Sequence, residues 1–96
     1  MVYVVAATWT AVEGKEDVVA DALTRLAVEA RREDGCLLYI THRSTERPRE
    51  FFIYEQYTGK DAFDAHVNSA HFQKYGRDTA VPHLETRGRA LYELLD

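Results

Sequence analysis

The sequence predicts an α+β fold of ferredoxin-like type: an antiparallel sheet with helices on one face and the element order β-α-β-β-α-β. Three observations carry this. β-branched and aromatic runs recur at residues 2–10, 36–44 and 51–57. One long stretch between the first two has apolar residues at helical spacing. No linker, repeat or low-complexity tract interrupts the chain, so residues 1–96 read as one domain.

The first run, VYVVAATWT, reads as a strand. Gly14 follows and opens a helix with Glu16 and Asp17 in its first turn, where the helix dipole favours acids. Val19, Ala22, Leu23, Leu26, Ala27 and Ala30 form its apolar stripe. Arg31 and Arg32 fall in the last turn, and Gly35 is placed to supply a left-handed cap. The second strand starts at Cys36. A polar loop over 45–50, holding Pro48, leads to the third strand, antiparallel to the second by hairpin logic. Thr58-Gly59-Lys60-Asp61 reads as a capping box for a helix over 60–67. Asn68 or Ser69 can cap a further helix from 70 to about 79, which Pro82 bends or restarts. Residues 87–95 close the chain as a fourth strand, with a C-terminal helix as the alternative for GRALYELL.

The second and third strands are apolar on both faces. Phe51 and Ile53 alternate with Phe52 and Tyr54, and Cys36, Leu38 and Ile40 with Leu37 and Tyr39. One face packs helices. The other calls for a partner, which predicts a homodimer joined sheet against sheet. A chain of this length buries only about 60–65% of its unfolded surface, so self-association also helps stability.

Charge excludes some partners. The net charge is −4, with both signs mixed along the chain. No basic stripe points to nucleic acid, and no polybasic segment to an anionic membrane. The N-terminus lacks a basic region and a long apolar span, so a soluble, cytoplasmic protein is expected. Cys36, the lone cysteine, fits a reducing compartment and reads as a small buried hydrophobe.

The segment FFIYEQYTGKDAFDAHVNSAHF carries the candidate chemistry. His66 and His71, five residues apart, would lie about 140° apart on one continuous helix. Only a break at Asn68-Ser69 lets both face one cavity. The spacing is not that of a zinc-binding helix, and no metal is expected. Glu55, in phase with Phe51 and Ile53, is at a rim, paired, or buried with a shifted pKa, and can orient a histidine. His42 lies in phase with Leu38 and Ile40. It adds a third imidazole if that face meets the helices, and otherwise joins the partner interface. Trp9 and Tyr54, on adjoining strands, are candidates to line a flat pocket.

A strand ending YEQY, a turn and helix, and His66-x-x-Ser69-x-His71-Phe72, within a βαββαβ chain opening on a strand and EGKED, resemble the antibiotic biosynthesis monooxygenase family. The resemblance implies a dimeric α/β barrel. It also implies a cofactor-independent monooxygenase that oxidises a small quinol, phenolic or polyketide-type aromatic substrate with O2. His66 and His71 are then base or donor candidates, with Glu55 beside them. Trp9, His42, Tyr54, Phe63 and Phe72 would contact substrate. A second branch implies an isomerase of small phosphorylated carbonyl compounds, for which Lys74, Arg77, Arg43 and Arg87 offer charge without a phosphate cradle. A third, haem-degrading branch has Trp where this chain has His66, a ligating His where it has Gly76, and Asn where it has Thr8. A dimeric binding protein on the same scaffold is the non-enzymatic alternative.

Overall fold

The computed structural model describes residues 1–96. In chain order the elements are β1 (Tyr3–Ala11), α1 (Glu16–Ala30), β2 (Cys36–Arg43), β3 (Glu50–Tyr57), α2 (Lys60–Val67), a π-helix (Phe72–Ala80), a 3-10 turn (Val81–His83) and β4 (Leu84–Glu93). The four strands form one antiparallel sheet in the order β2-β3-β1-β4. This is the expected ferredoxin-like arrangement, with β1 and β3 central and β2 and β4 at the edges.

Strand period two decides which residues meet the helices. Val5, Ala7, Trp9 and Ala11 of β1 and Phe51, Ile53, Glu55 and Tyr57 of β3 are buried on the helix side. The six residues of the α1 stripe are buried too, and pack with Trp9, Tyr39, Phe51 and Ile53 into the main core. A smaller cluster of Val5, Tyr57 and Phe63 seats α2. On the opposite face Ile40 is 39% exposed, Phe52 41% and Tyr92 57%. The apolar outer face read from the sequence is therefore present.

Several local expectations are corrected. A bulge between Cys36 and Leu38 shifts the phase of β2. Cys36 therefore packs on the helix side, whereas Leu38 and Ile40 do not share its face. Gly35 does not adopt the left-handed conformation; Gly14, at φ 86°, is the only residue that does. What Gly35 supplies is close approach: a Cβ there would lie 2.4 Å from the Ala62 Cβ and 3.2 Å from the Thr58 hydroxyl. The Thr58 capping box does not form. Gly59 occupies the N-cap of α2 with no side-chain hydrogen bond, and the Thr58 N–H instead donates to the Gly35 carbonyl. Arg31 lies just past the end of α1, at its C-cap.

The last helix is wound more widely than expected. The Val81 N–H bonds to the Gly76 carbonyl five residues back, and the Thr79 hydroxyl donates to the Lys74 carbonyl. Pro82 sits in the 3-10 turn that ends the segment. β4 then starts at Leu84, three residues before the expected position, and the C-terminal run is strand and not helix.

Candidate functional site

The site grows from the break after α2. Asn68 ends α2 with its N–H on the Asp64 carbonyl. The Ser69 hydroxyl donates to the His66 carbonyl at 2.6 Å and accepts from the Phe72 N–H at 3.1 Å, so Ser69 starts the next helical segment as expected. The chain changes direction between His66 and His71. The two imidazoles, which one helix would point apart, come to 6.1 Å between ring centroids.

Both converge on a carboxylate that the sequence reading did not name. Glu33 follows α1 in the turn to β2. Its Oε2 accepts from His66 Nδ1 at 2.8 Å and from His71 Nε2. Burial by itself would raise the pKa of Glu33. The hydrogen bonds from His66 and His71 outweigh it, and the carboxyl is held below its usual range. An ionised Glu33 accepts only, so the hydrogen sits on His66 Nδ1. In a neutral ring the His66 Nε2 is then left with a free lone pair.

That nitrogen points toward Glu55. The separation from Oε1 is 4.0 Å, too long for a hydrogen bond. Glu55 is 5% exposed and His66 is 1% exposed. Glu55 therefore does not orient the histidine, and its hydrogen bond comes from the Tyr57 hydroxyl at 2.6 Å. Burial pushes the Glu55 carboxyl above its ordinary range, against the opposing pull of Tyr57 and His66. Burial and the adjacent Glu55 drive the Tyr57 phenol far upward, so it stays a donor. The two carboxyls flanking His66 are thus pushed in opposite directions, the arrangement that separates acid from base at a site.

A cavity of about 540 Å³ opens above this floor, between the β1–β4 side of the sheet and the α2–π-helix corner. Trp9, Phe63 and Phe72 line it, together with Val5, Ala7, Tyr39 and Ile53. His66 and Glu55 reach it; Glu33 and His71 do not line it. At its mouth stand Arg77, Arg87 and Arg89. The Arg89 guanidinium lies 5.1 Å from the centre of the Phe63 ring.

Two expected lining residues are elsewhere. His42 and Tyr54 sit on the outer face, because strand alternation sets them opposite to Tyr39 and Glu55. His42 Nδ1 is 2.9 Å from the Phe52 carbonyl oxygen, and its ring packs on Phe52. His42 therefore adds no third imidazole to the cluster. Burial also raises the Cys36 thiol, to about 11, consistent with an inert residue.

Glu33, His66 and His71 form the one group here able to offer three metal-ligating atoms within 4.8 Å of one another. Around a tetrahedral zinc, adjacent ligand atoms would lie roughly 3.3–3.5 Å apart. The Glu33–His66 contact of 2.8 Å is the spacing of a hydrogen bond.

The sheet order, the apolar cavity on its helix side and the carboxylate–imidazole cluster beneath define a small ferredoxin-like α+β protein with one buried polar cluster under an aromatic-lined cavity. The sequence model of the antibiotic biosynthesis monooxygenase family matches residues 1–78, and the chain belongs to that family. Among solved structures, a protein from Shewanella oneidensis is similar at 28% identity and a TM-score of 0.88, over 95% of this chain and 88% of that one. A Pseudomonas aeruginosa protein aligns at 26% identity and TM-score 0.91, over 99% and 95% of the two chains. One from Nitrosomonas europaea aligns at 25% and 0.92, over 98% and 90%. A comparison with curated proteins returned no match.

Proposed function

We propose that the protein is a cofactor-independent monooxygenase that oxidises a small quinol or related phenol with O2. The observation that supports this most is the Glu33–His66 pair, which leaves His66 Nε2 as a proton acceptor at the floor of an apolar, aromatic-lined cavity. Family membership supplies the reaction class.

A quinol bound over the floor gives its phenolic proton to His66 Nε2, and Glu33 balances the charge of the imidazolium. The resulting electron-rich anion reduces O2. Carbon–oxygen bond formation followed by loss of water gives a hydroxyquinone: quinol plus O2 yields hydroxyquinone plus H2O. The substrate supplies all the electrons. Trp9, Phe63 and Phe72 hold the ring and keep water from the intermediates. Glu55, with its raised pKa and Tyr57 as donor, is placed to return a proton to the leaving oxygen. His71 acts on Glu33 and holds it in place.

In the assembly we propose, two copies pack through the outer face carrying Ile40, Phe52 and Tyr92, since that apolar surface is otherwise left in water. The test of the function is oxygen uptake by metal-free protein with hydroquinones, naphthoquinols and anthrones, against heat-denatured protein. Saturable uptake that collapses in His66→Ala supports the oxygenase. Uptake no faster than autoxidation across the panel removes it.

A further inference from the structure

The two ends of the cavity differ in chemistry. Its floor holds Glu55 and, beneath it, Glu33. Its mouth holds three guanidiniums. Arg87 and Arg89 are two residues apart on β4 and share the helix-side face, paired in register with Trp9 and Ala7 of β1. Their backbones are thus about 6.6 Å apart along one strand, close enough for both guanidiniums to reach one ligand group. No helix covers β4 here: nine of its ten residues are exposed, and only Leu84 is half-buried. Arg77 approaches from the π-helix, where it contacts its neighbour Asp78 at 3.1 Å. Most other arginines are occupied. Arg25, Arg32, Arg43, Arg47 and Arg49 each pair with a carboxylate, and Arg31 bonds to the Tyr39 carbonyl. Arg87 and Arg89 have no carboxylate partner, and Arg89 is braced on Phe63 inside the cavity.

We infer that the ligand has two chemically distinct ends: a flat apolar body whose phenolic oxygen lies over His66 and Glu55, and an anionic group, carboxylate or phosphate, held at the mouth by Arg87 and Arg89 with Arg77 alongside. The buried, aromatic-lined floor offers an anion no cationic partner beyond His66, whereas the guanidinium pair offers the forked donors that carboxylates and phosphates accept. The two ends therefore favour one orientation: the anion at the mouth and the phenol turned inward. This inference rests on the proposed oxidation only for the identity of the inward end.

The test is calorimetric binding of matched probes that do not react with O2 on the timescale used: 6-hydroxy-2-naphthoate, 2-naphthol and 2-naphthyl phosphate. In the native protein at low salt the carboxylate or the phosphate should bind about tenfold or more tightly than the neutral naphthol. In Arg87→Gln/Arg89→Gln that preference should fall to within roughly twofold, naphthol binding in the same variant reporting any loss common to all three probes. Which anion binds more tightly identifies the group. Equal binding of all three probes overturns the inference, as does an anion preference that survives in the double variant. Binding and turnover separate the two claims. Anion preference without oxygen uptake from any quinol sinks the oxidation and leaves the anion site standing, whereas turnover of neutral quinols with no anion preference does the reverse.

Discussion

Glu33 and His66 are joined by a 2.8 Å hydrogen bond across 33 residues of sequence. The bond selects the ring nitrogen that carries the proton, and so the nitrogen that is free to take one. His71 binds the same Glu33 oxygen from outside the cavity. The two histidines are therefore unequal, although the sequence presents them as a pair.

That inequality is the first prediction. His66→Ala should cut turnover by about 10²-fold or more, the usual contribution of a general base. His71→Ala should cost about tenfold or less, because Glu33 remains hydrogen-bonded to His66. Steady-state oxygen uptake checks both. Equal losses would place His71 in the chemistry, and no loss in either would remove the histidines from it.

The two carboxyls should titrate stability in opposite senses. Glu33 is held low in the folded state, so its contribution is present above an unfolded value of about 4.3 and is lost as pH falls through its folded pKa. Glu33→Gln should therefore destabilise at pH 7 and become neutral in strong acid. Glu55 is held high, so its ionisation in the folded protein works against folding as pH rises above about 4.3. Glu55→Gln, which keeps an acceptor for Tyr57, should raise stability at pH 7, and that gain should vanish near pH 4. Urea melts from about pH 2 to pH 8 check the signs; parallel curves for both variants would contradict the assigned shifts.

A packing prediction concerns Gly35. A methyl group there meets Ala62 Cβ at 2.4 Å, on a helix backbone that cannot swing aside. Gly35→Ala should cost about 1–3 kcal/mol in a denaturant melt. Adding Ala62→Gly should recover most of it. A neutral Gly35→Ala would mean that α2 shifts freely on the sheet.

The outer face should govern assembly. Phe52→Lys or Ile40→Glu places a charge in the proposed sheet-on-sheet contact and should lower sedimentation mass and melting temperature together. A native protein that sediments as a stable, well-folded monomer would refute the dimer.

The helices and strands were legible because their signals are local. The α1 stripe from Val19 to Ala30 follows from helical period, and the buried set of β3 from strand period. The break at Asn68-Ser69 was legible too, since asparagine and serine are common helix N-caps. The phase of β2 was not. A bulge leaves no mark in a run such as CLLYITHR, and one extra residue moves every later side chain to the other face. The bulge displaced only Cys36 from the expected phase; His42 does share a face with Leu38 and Ile40, and was left undecided because alternation does not say which face meets the helices, whereas Tyr54 was misplaced by reading adjacency on neighbouring strands as a shared face. The winding of the Phe72–Ala80 segment was also hidden, because π and α turns differ by one residue in a helix with no proline inside it.

By itself the sequence determined the element order, the apolar stripe of α1, the two-faced strands and the placing of His66, His71 and Glu55 near one end of the sheet. Only the tertiary structure decided that Glu33 unites the histidines, that His66 alone of the two reaches the cavity, and that Arg87 and Arg89 stand at its mouth. The reason is separation along the chain. Periodicity reports what a residue does within its own turn or strand, while a carboxylate 33 residues from its imidazole is chosen by how α1 and α2 pack on the same sheet.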